Sequence, residues 1–243
     1  MKFDQSTFYV GKWNGQLLLE DDDGVINILA ITSKEQANYL KEKEGQLHID
    51  VGDMITSDIV VHVGDKVTYH GDDYQLINLE TTFTTDDLLK IQHMKDFRIR
   101  ENNHILVSDK IGIIEFIDGR DRKDQHLFDY DSYTVAYPTI DKLKIELINN
   151  TDSVMNIKEI ILDNKDLTYE DLKTTPFELQ PNKKVNFDMM VEPTDKSAYD
   201  FWILSPKVVF DDGKEVYLYS TFHNNYEIST ETIENIIKRK SKK

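Results

Sequence analysis

Apolar and polar residues alternate with a period of two over most of this chain, in short runs separated by turn residues. The clearest stretch is Lys142–Phe222. There Leu143, Ile145 and Leu147 share one strand face, as do Val185, Phe187, Met189 and Val191. Asn149-Asn150-Thr151-Asp152, Pro181-Asn182 and Asp212-Gly213 punctuate the runs as turns. Short strands joined in this way predict a β-sandwich. It would be Ig-like in architecture only, because the paired cysteines of true Ig domains are absent. Trp202 is a candidate for its core aromatic. A short helical or irregular stretch is expected around Tyr169–Leu172.

The N-terminal part reads as strands at Thr7–Lys12, Gln16–Glu20 and Val25–Ile31, with Asp22-Asp23-Gly24 as a hairpin turn between the last two. Ser33 and Gln36 form a capping box for a helix that stops at Gly45. Strands follow at Gln46–Val51, Ile55–Val63, Lys66–His70 and Tyr74–Glu80. A second helix over Thr85–Lys95 is capped by Thr84 with Asp87 and carries Leu88, Leu89, Ile91 and Met94 as its apolar stripe. Strands resume at Phe97–Arg100, His104–Ser108 and Gly112–Ile117. The segment Val63–Ile77, a Gly64-Asp65 lead-in and then two short strands, resembles part of a small SH3-like barrel. That resemblance bears on shape and implies no function.

Phe128–Tyr137 is extended and rich in aromatics, and Pro138 ends it. The domain boundary is expected between Gly119 and Asp141. Ser229–Lys243 reads as a helix, with Ile233, Ile236 and Ile237 on one stripe, acids near its start and lysines near its end, as the helix dipole favours. The expected fold is therefore mainly β (α+β). It has a β-rich barrel or roll with two short helices over residues 1–130, an Ig-like β-sandwich over 138–228 and a short basic helix over 229–243.

The chain has no cysteine, which excludes disulfide scaffolds, thiolate zinc sites and cysteine nucleophiles. The first residues lack an apolar leader core, and no run is long and apolar enough to span a membrane, so the cytoplasm is the expected location. The net charge of −16, with five positive charges in the last six positions, leaves −21 on the rest of the chain. Such a body repels phosphates and anionic membranes. Neither nucleic acid nor membrane is expected as a partner; another protein with a basic surface suits it better.

Candidate chemistry is sparse. The acidic pairs and runs at Glu20–Asp23, Asp72-Asp73 and Asp211-Asp212 all fall at turns, where they read as solvated tips. Asp118, Asp121 and Asp124 recur every three residues among Arg120, Arg122 and Lys123. A calcium loop needs alternating ligands, a central Gly and a closing Glu. The stretch is thus expected to be a binding loop, not a metal site. Of the seven histidines none forms a helical i, i+4 pair; His48 with Asp50 share a strand face, and His62 and His70 lie on strands expected to be neighbours. There is no Gly-x-Ser-x-Gly elbow and no phosphate-cradling glycine loop. No metal or cofactor is expected. Tyr130, Tyr133 and Tyr137 lie on one aromatic segment, and tyrosine is favoured at protein interfaces. The expectation is a non-catalytic, protein-binding accessory or inhibitory factor of bacterial or phage origin, acting through its acidic surface. Its candidate binding residues are Tyr130, Tyr133, Tyr137, Asp118, Asp121 and Asp124. The alternatives are a metal-dependent hydrolase built from clustered carboxylates and a virion structural protein.

Overall fold

The computed structural model describes residues 3–52, 55–120, 140–170, 176–195, 198–223 and 229–240. In chain order the first strands are β1 (Tyr9–Val10), β2 (Trp13–Leu19) and β3 (Asp23–Thr32), followed by helix α1 (Lys34–Glu42). Strands β4 (Leu47–Val51), β5 (Ile55–Asp58), β6 (Val60–Tyr69) and β7 (Asp72–Thr84) lead to helix α2 (Thr85–Ile91). Then come the long β8 (His93–Glu101) and β9 (His104–Asp118). The C-terminal run is β10 (Lys142–Ile148), β11 (Met155–Ile161), β12 (Leu167–Glu170), β13 (Phe177–Leu179) and β14 (Lys184–Pro193). It continues with β15 (Phe201–Leu204), β16 (Lys207–Phe210), β17 (Glu215–Tyr217), β18 (Thr221–His223) and helix α3 (Thr230–Lys240). The fold is mainly β, at 59% strand against 16% helical, and no sheet among the described residues closes into a barrel.

The described strands form four sheets, in the orders β1-β3-β7-β6, β18-β15-β2-β9-β8-β4-β5, β10-β14-β12 and β13-β11-β16-β17. The first two bury one core. Ile26, Ile28 and Ala30 of β3 enter it from one sheet, and Leu47, Ile49 and Val51 of β4 from the other. The three-stranded and four-stranded C-terminal sheets bury a second core, to which Leu143, Ile145 and Leu147 contribute from one side and Ile157, Val208 and Phe210 from the other. This is a two-sheet sandwich arrangement, and it follows from the period-two pattern read in β10 and β14.

Strand β15 joins the two halves. It pairs in parallel with β2, matching Phe201 to Trp13 and Ile203 to Gly15. All four of its residues are buried. Alternation sends Phe201 and Ile203 into the first core and Trp202 and Leu204 into the second. A strand covered on both faces reads as an unbroken apolar run, and Phe-Trp-Ile-Leu is such a run. Ser205 and Ser220 extend the seam. The Ser205 hydroxyl donates to the Gln16 carbonyl at 2.6 Å, and the Leu18 N–H donates to the Ser220 hydroxyl at 2.8 Å.

Several local expectations are corrected. Asp22-Asp23-Gly24 is not a hairpin turn, because β2 and β3 lie in different sheets and Gly24 sits inside β3. Strand β2 takes parallel neighbours on both sides instead. The expected strand Ile55–Val63 divides at Ile59, where the chain passes from the seven-stranded sheet to the other one. Gly64-Asp65 lies within β6 at a register shift, and the turn that follows is His70-Gly71, both with positive φ. Helix α2 ends at Ile91, since Gln92 takes φ +61, and Met94 is buried from a strand. Leu167–Glu170 is strand and pairs with β14, where a helical or irregular stretch was expected. Ser33 does cap α1, accepting from the Gln36 N–H at 3.2 Å, but the Gln36 side chain turns inward to Thr7 and Thr32 and does not close the box.

Two glycines allow β2 its close neighbours. A Cβ on Gly15, at φ +153, would stand 1.9 Å from the Ile203 carbonyl oxygen, and one on Gly112, at φ +105, would stand 2.0 Å from that of Trp13. Gly15→Ala is expected to cost about 3 kcal/mol, read as a lower urea midpoint at unchanged m-value. Gly213→Ala is the comparator. It shares a positive φ of +84 but has open space around it, and should cost about 1 kcal/mol. Equal losses at the two positions would show that the approach of β15 to β2 is not the constraint.

Candidate functional site

Of the acidic residues singled out in the sequence, Asp73 and Asp118 are held by cations and Asp212 by the Lys214 N–H. Arg120 donates to Asp118 from Nε at 3.1 Å and Nη2 at 3.0 Å, and its Nη1 reaches Asp86 at 2.9 Å. That guanidinium holds the Asp118 carboxyl below its ordinary range. Asp121, Asp124, Tyr130, Tyr133 and Tyr137 lie outside the described residues. Asp73 is paired with Lys66 at 2.6 Å. His48 and Asp50 do share a face but take different partners: His48 Nδ1 lies 2.9 Å from Asp58, while Arg100 grips Asp50 with two bonds of 2.6 Å. His62 lies 3.5 Å from Glu80, and His70 stands in the turn after β6. Among the described residues no three His, Asp or Glu side chains are grouped as a metal ion would require.

The structure instead draws attention to the seam beside β15. The N–H groups of Asp200 and Phe201 both donate to the Lys12 carbonyl, at 2.8 and 3.0 Å, and the Lys12 N–H donates back to the Asp200 carboxylate at 2.8 Å. The Asp200 side chain is 1% exposed, and Arg239 of α3 donates to it from Nη2. Three isoleucines of α3, at 233, 236 and 237, sit in the first core. At its end Lys240 donates to the Gln5 carbonyl at 2.6 Å and to that of Phe8. The basic helix thus lies back on the N-terminal half. On the other side of β15, the Asn14 amide donates to Asp166 at 2.7 Å and accepts from Asn164 at 3.1 Å. Burial and the nearby Asp166 carboxylate push the Tyr199 phenol up.

A cleft of ≈ 880 Å³ opens between the sandwich and the start of α3. Tyr169, Tyr199 and Trp202 give it aromatic walls; the last two rings meet edge-on with centroids 5.4 Å apart. Met190 on β14 adds an apolar side chain that is 43% exposed. The polar lining is acidic, with Asp141, Glu192, Asp200 and Glu231 and, among the described residues, no lysine or arginine. Tyr199 also borders a second, smaller pocket on the far side, which Arg239 lines.

No family model matches the chain, and no curated protein matches it. Three solved structures give similarity over most of its length. One is a protein of unknown function from Porphyromonas gingivalis, 11% identical, covering 90% of this chain and 97% of that one at a TM-score of 0.27. The second is SGBP-B of the Bacteroides ovatus mixed-linkage glucan utilization locus, in complex with a mixed-linkage heptasaccharide. It is 10% identical and covers 86% of this chain but 43% of its own length, at a TM-score of 0.23. The third is the sialic acid binding region of a Streptococcus sanguinis adhesin, 6% identical, covering 91% and 78% at a TM-score of 0.23. At such TM-scores the likeness carries no argument about this chain's fold or ligand. No described helix is long and apolar enough to cross a membrane.

The cleft was not read from the sequence, because its walls come from β12, β14, the approach to β15 and α3. The one local signal was Asp200 directly before a four-residue apolar run, a charge placed where burial forces it to find a partner. Removing that partner should be costly. Arg239→Met is expected to lose about 3–5 kcal/mol, with most of it restored when Asp200→Asn is added; equal losses for the single and double variants in urea melts would show that the pair does not act as a unit. Burial lifts the Asp200 carboxyl above its ordinary range against the pull of Arg239. A native carboxyl with a raised pKa binds its proton more tightly than the unfolded chain does. Its contribution is full below the unfolded value and is lost as pH rises through the native one. Asp200→Asn does not titrate, so its stability relative to the unsubstituted protein should climb from about pH 4 upward. A pH-independent difference would refute that assignment.

Proposed function

We propose that this is a non-catalytic binding protein that takes a basic segment of another protein in the cleft beside β15. One observation carries the reading: a cleft of ≈ 880 Å³ that, among the described residues, is lined by Asp141, Glu192 and Glu231 beside the Arg239-bound Asp200 and by no lysine or arginine, over aromatic and methionine surface. Its volume is in the range of ligand-binding cavities. A lysine or arginine side chain suits such a lining, because its aliphatic stem packs on Tyr169 and Met190 while its charged head meets the carboxylates. Methionine adapts its shape to differing partners. The overall charge of −16 attracts a cationic segment from a distance.

The finer architecture belongs to the same proposal. Seven described strands in two sheets, of three and four, surround the second core. We read them as an Ig-like sandwich, a scaffold that presents loops and edges to a partner. An accessory or inhibitory role fits a module of this kind.

The test is affinity capture from a lysate of the native host, with nuclease added, eluted in salt steps. The expected result is a stoichiometric protein that elutes as salt screens the contact. The capture is repeated with Met190→Arg plus Glu231→Lys, which reverses the cleft chemistry at two of its lining positions. Loss of that protein with the double variant supports the cleft. Equal retention by both proteins, or retention indifferent to salt, sinks the reading.

A further inference from the structure

The second pocket has the opposite chemistry. It holds ≈ 560 Å³, and among the described residues its lining includes Lys12, Lys95, Lys110 and Arg239 against a single carboxylate, Asp96. The whole chain has 29 lysines and arginines to 45 acids. Four cations to one acid reverses that balance. Arg239, which lines the pocket, gives Nη2 to Asp200, and among the described residues its buried Nε and Nη1 have no hydrogen-bond partner. A buried guanidinium donor without an acceptor is unfavourable, and an anion at this point would supply one.

The local backbone builds the pocket. Strands β8 and β9 lose register between Met94 and Asp96, so that Lys95 falls at the break and β9 carries extra residues around Gly112. Gly112 and Ile113 line the pocket from that bulge. Bulges of this kind redirect side chains out of the regular pleat. Ala198 and Tyr199 close the other wall.

We propose that this pocket is an oxyanion site that takes the phosphate group of a small phosphorylated molecule. The charge of the lining suits a dianion, and Lys and Arg are the usual phosphate partners. The volume leaves room behind the phosphate for an organic body against Ile113, Ala198 and Tyr199. A long polyanion does not fit the proposal, because the acidic body repels every phosphate beyond the pocket. The site is separate from the acidic cleft, so it stands or falls independently of the binding function assigned there.

The experiment is an NMR titration of the full chain at fixed ionic strength with inorganic phosphate, phenyl phosphate and acetate. The resonances followed are the Arg239 Nε–H and the backbone amides of Gly112 and Ala198. The expected result is saturable shifts with both phosphates, tighter for phenyl phosphate, and at least tenfold weaker binding of acetate. Lys95→Gln with Lys110→Gln is the chosen variant. Both side chains are exposed, so the urea midpoint should hold while the phosphate Kd rises at least tenfold. Linear shifts that never saturate, acetate bound as tightly as phosphate, or an unchanged Kd in the double variant would each overturn the site.

Discussion

One strand of four residues holds the two halves of the molecule together. Phe201 and Ile203 face one core, Trp202 and Leu204 the other, and the backbone between them pairs in parallel with β2. The hydrophobic term is roughly proportional to area removed from water, and here both faces of the same strand are buried. Unpairing β15 would open two cores at once. The surrounding polar contacts follow from that placement. Lys12 can exchange bonds with Asp200 only because β15 starts beside it. Asn14 can reach Asp166 and Asn164 only because the sandwich has been drawn up to β2.

The same constraint shapes the electrostatics. Chain leaving the sandwich must cross to the seven-stranded sheet, and Asp200 is buried at the crossing. A buried carboxylate needs charge and hydrogen bonds around it. Lys12 N–H supplies one bond, and Arg239 supplies the counter-charge from the last turn of α3. The tail is basic at its end for a structural reason as well as a solvation one: Arg239 and Lys240 are fixed to the body, while Lys238 pairs with Glu234 within the helix at 2.5 Å. Segregation of charge follows. Asp200 and the other acids line the cleft on one side of Tyr199, and Arg239 with three lysines lines the pocket on the other.

How much of this was legible in the sequence depended on how local each feature is. The sandwich strands β10 and β14 were readable because alternation is local and both face a single core. Asp212-Gly213 was readable because a tight hairpin turn needs a glycine, here at φ +84. The N-terminal helices were found from their caps, Ser33 and Thr84. Sheet membership was not readable. Asp22-Asp23-Gly24 carries the residues of a hairpin turn, yet joins two sheets, because β2 is claimed by neighbours about a hundred residues or more away in sequence. Phe201–Leu204 was recognised as strand but not as a shared one, since nothing local tells a residue which of two cores it will enter. The cleft and the cationic pocket depended on that shared strand and were out of reach for the same reason. The tyrosine segment singled out in the sequence lies outside the described residues.

The acidic cleft and the cationic pocket are coupled through α3. Helix α3 contributes Glu231, Thr232 and Asn235 to the cleft and Arg239 to the cationic pocket. From Glu231 to Arg239 the helix advances about 12 Å at 1.5 Å per residue, so one short rigid rod touches both. Three isoleucines fix that rod in the first core, and Asp200 fixes its end. Tyr199, the wall common to both surfaces, packs edge-on against Trp202 and precedes the buried Asp200. A change that shifts α3 along its axis must therefore alter both surfaces together. A change confined to Lys95 or Lys110 on the β8–β9 bulge touches one alone. The seam that solves a packing problem between two cores also fixes the distance between an acidic surface and a basic one.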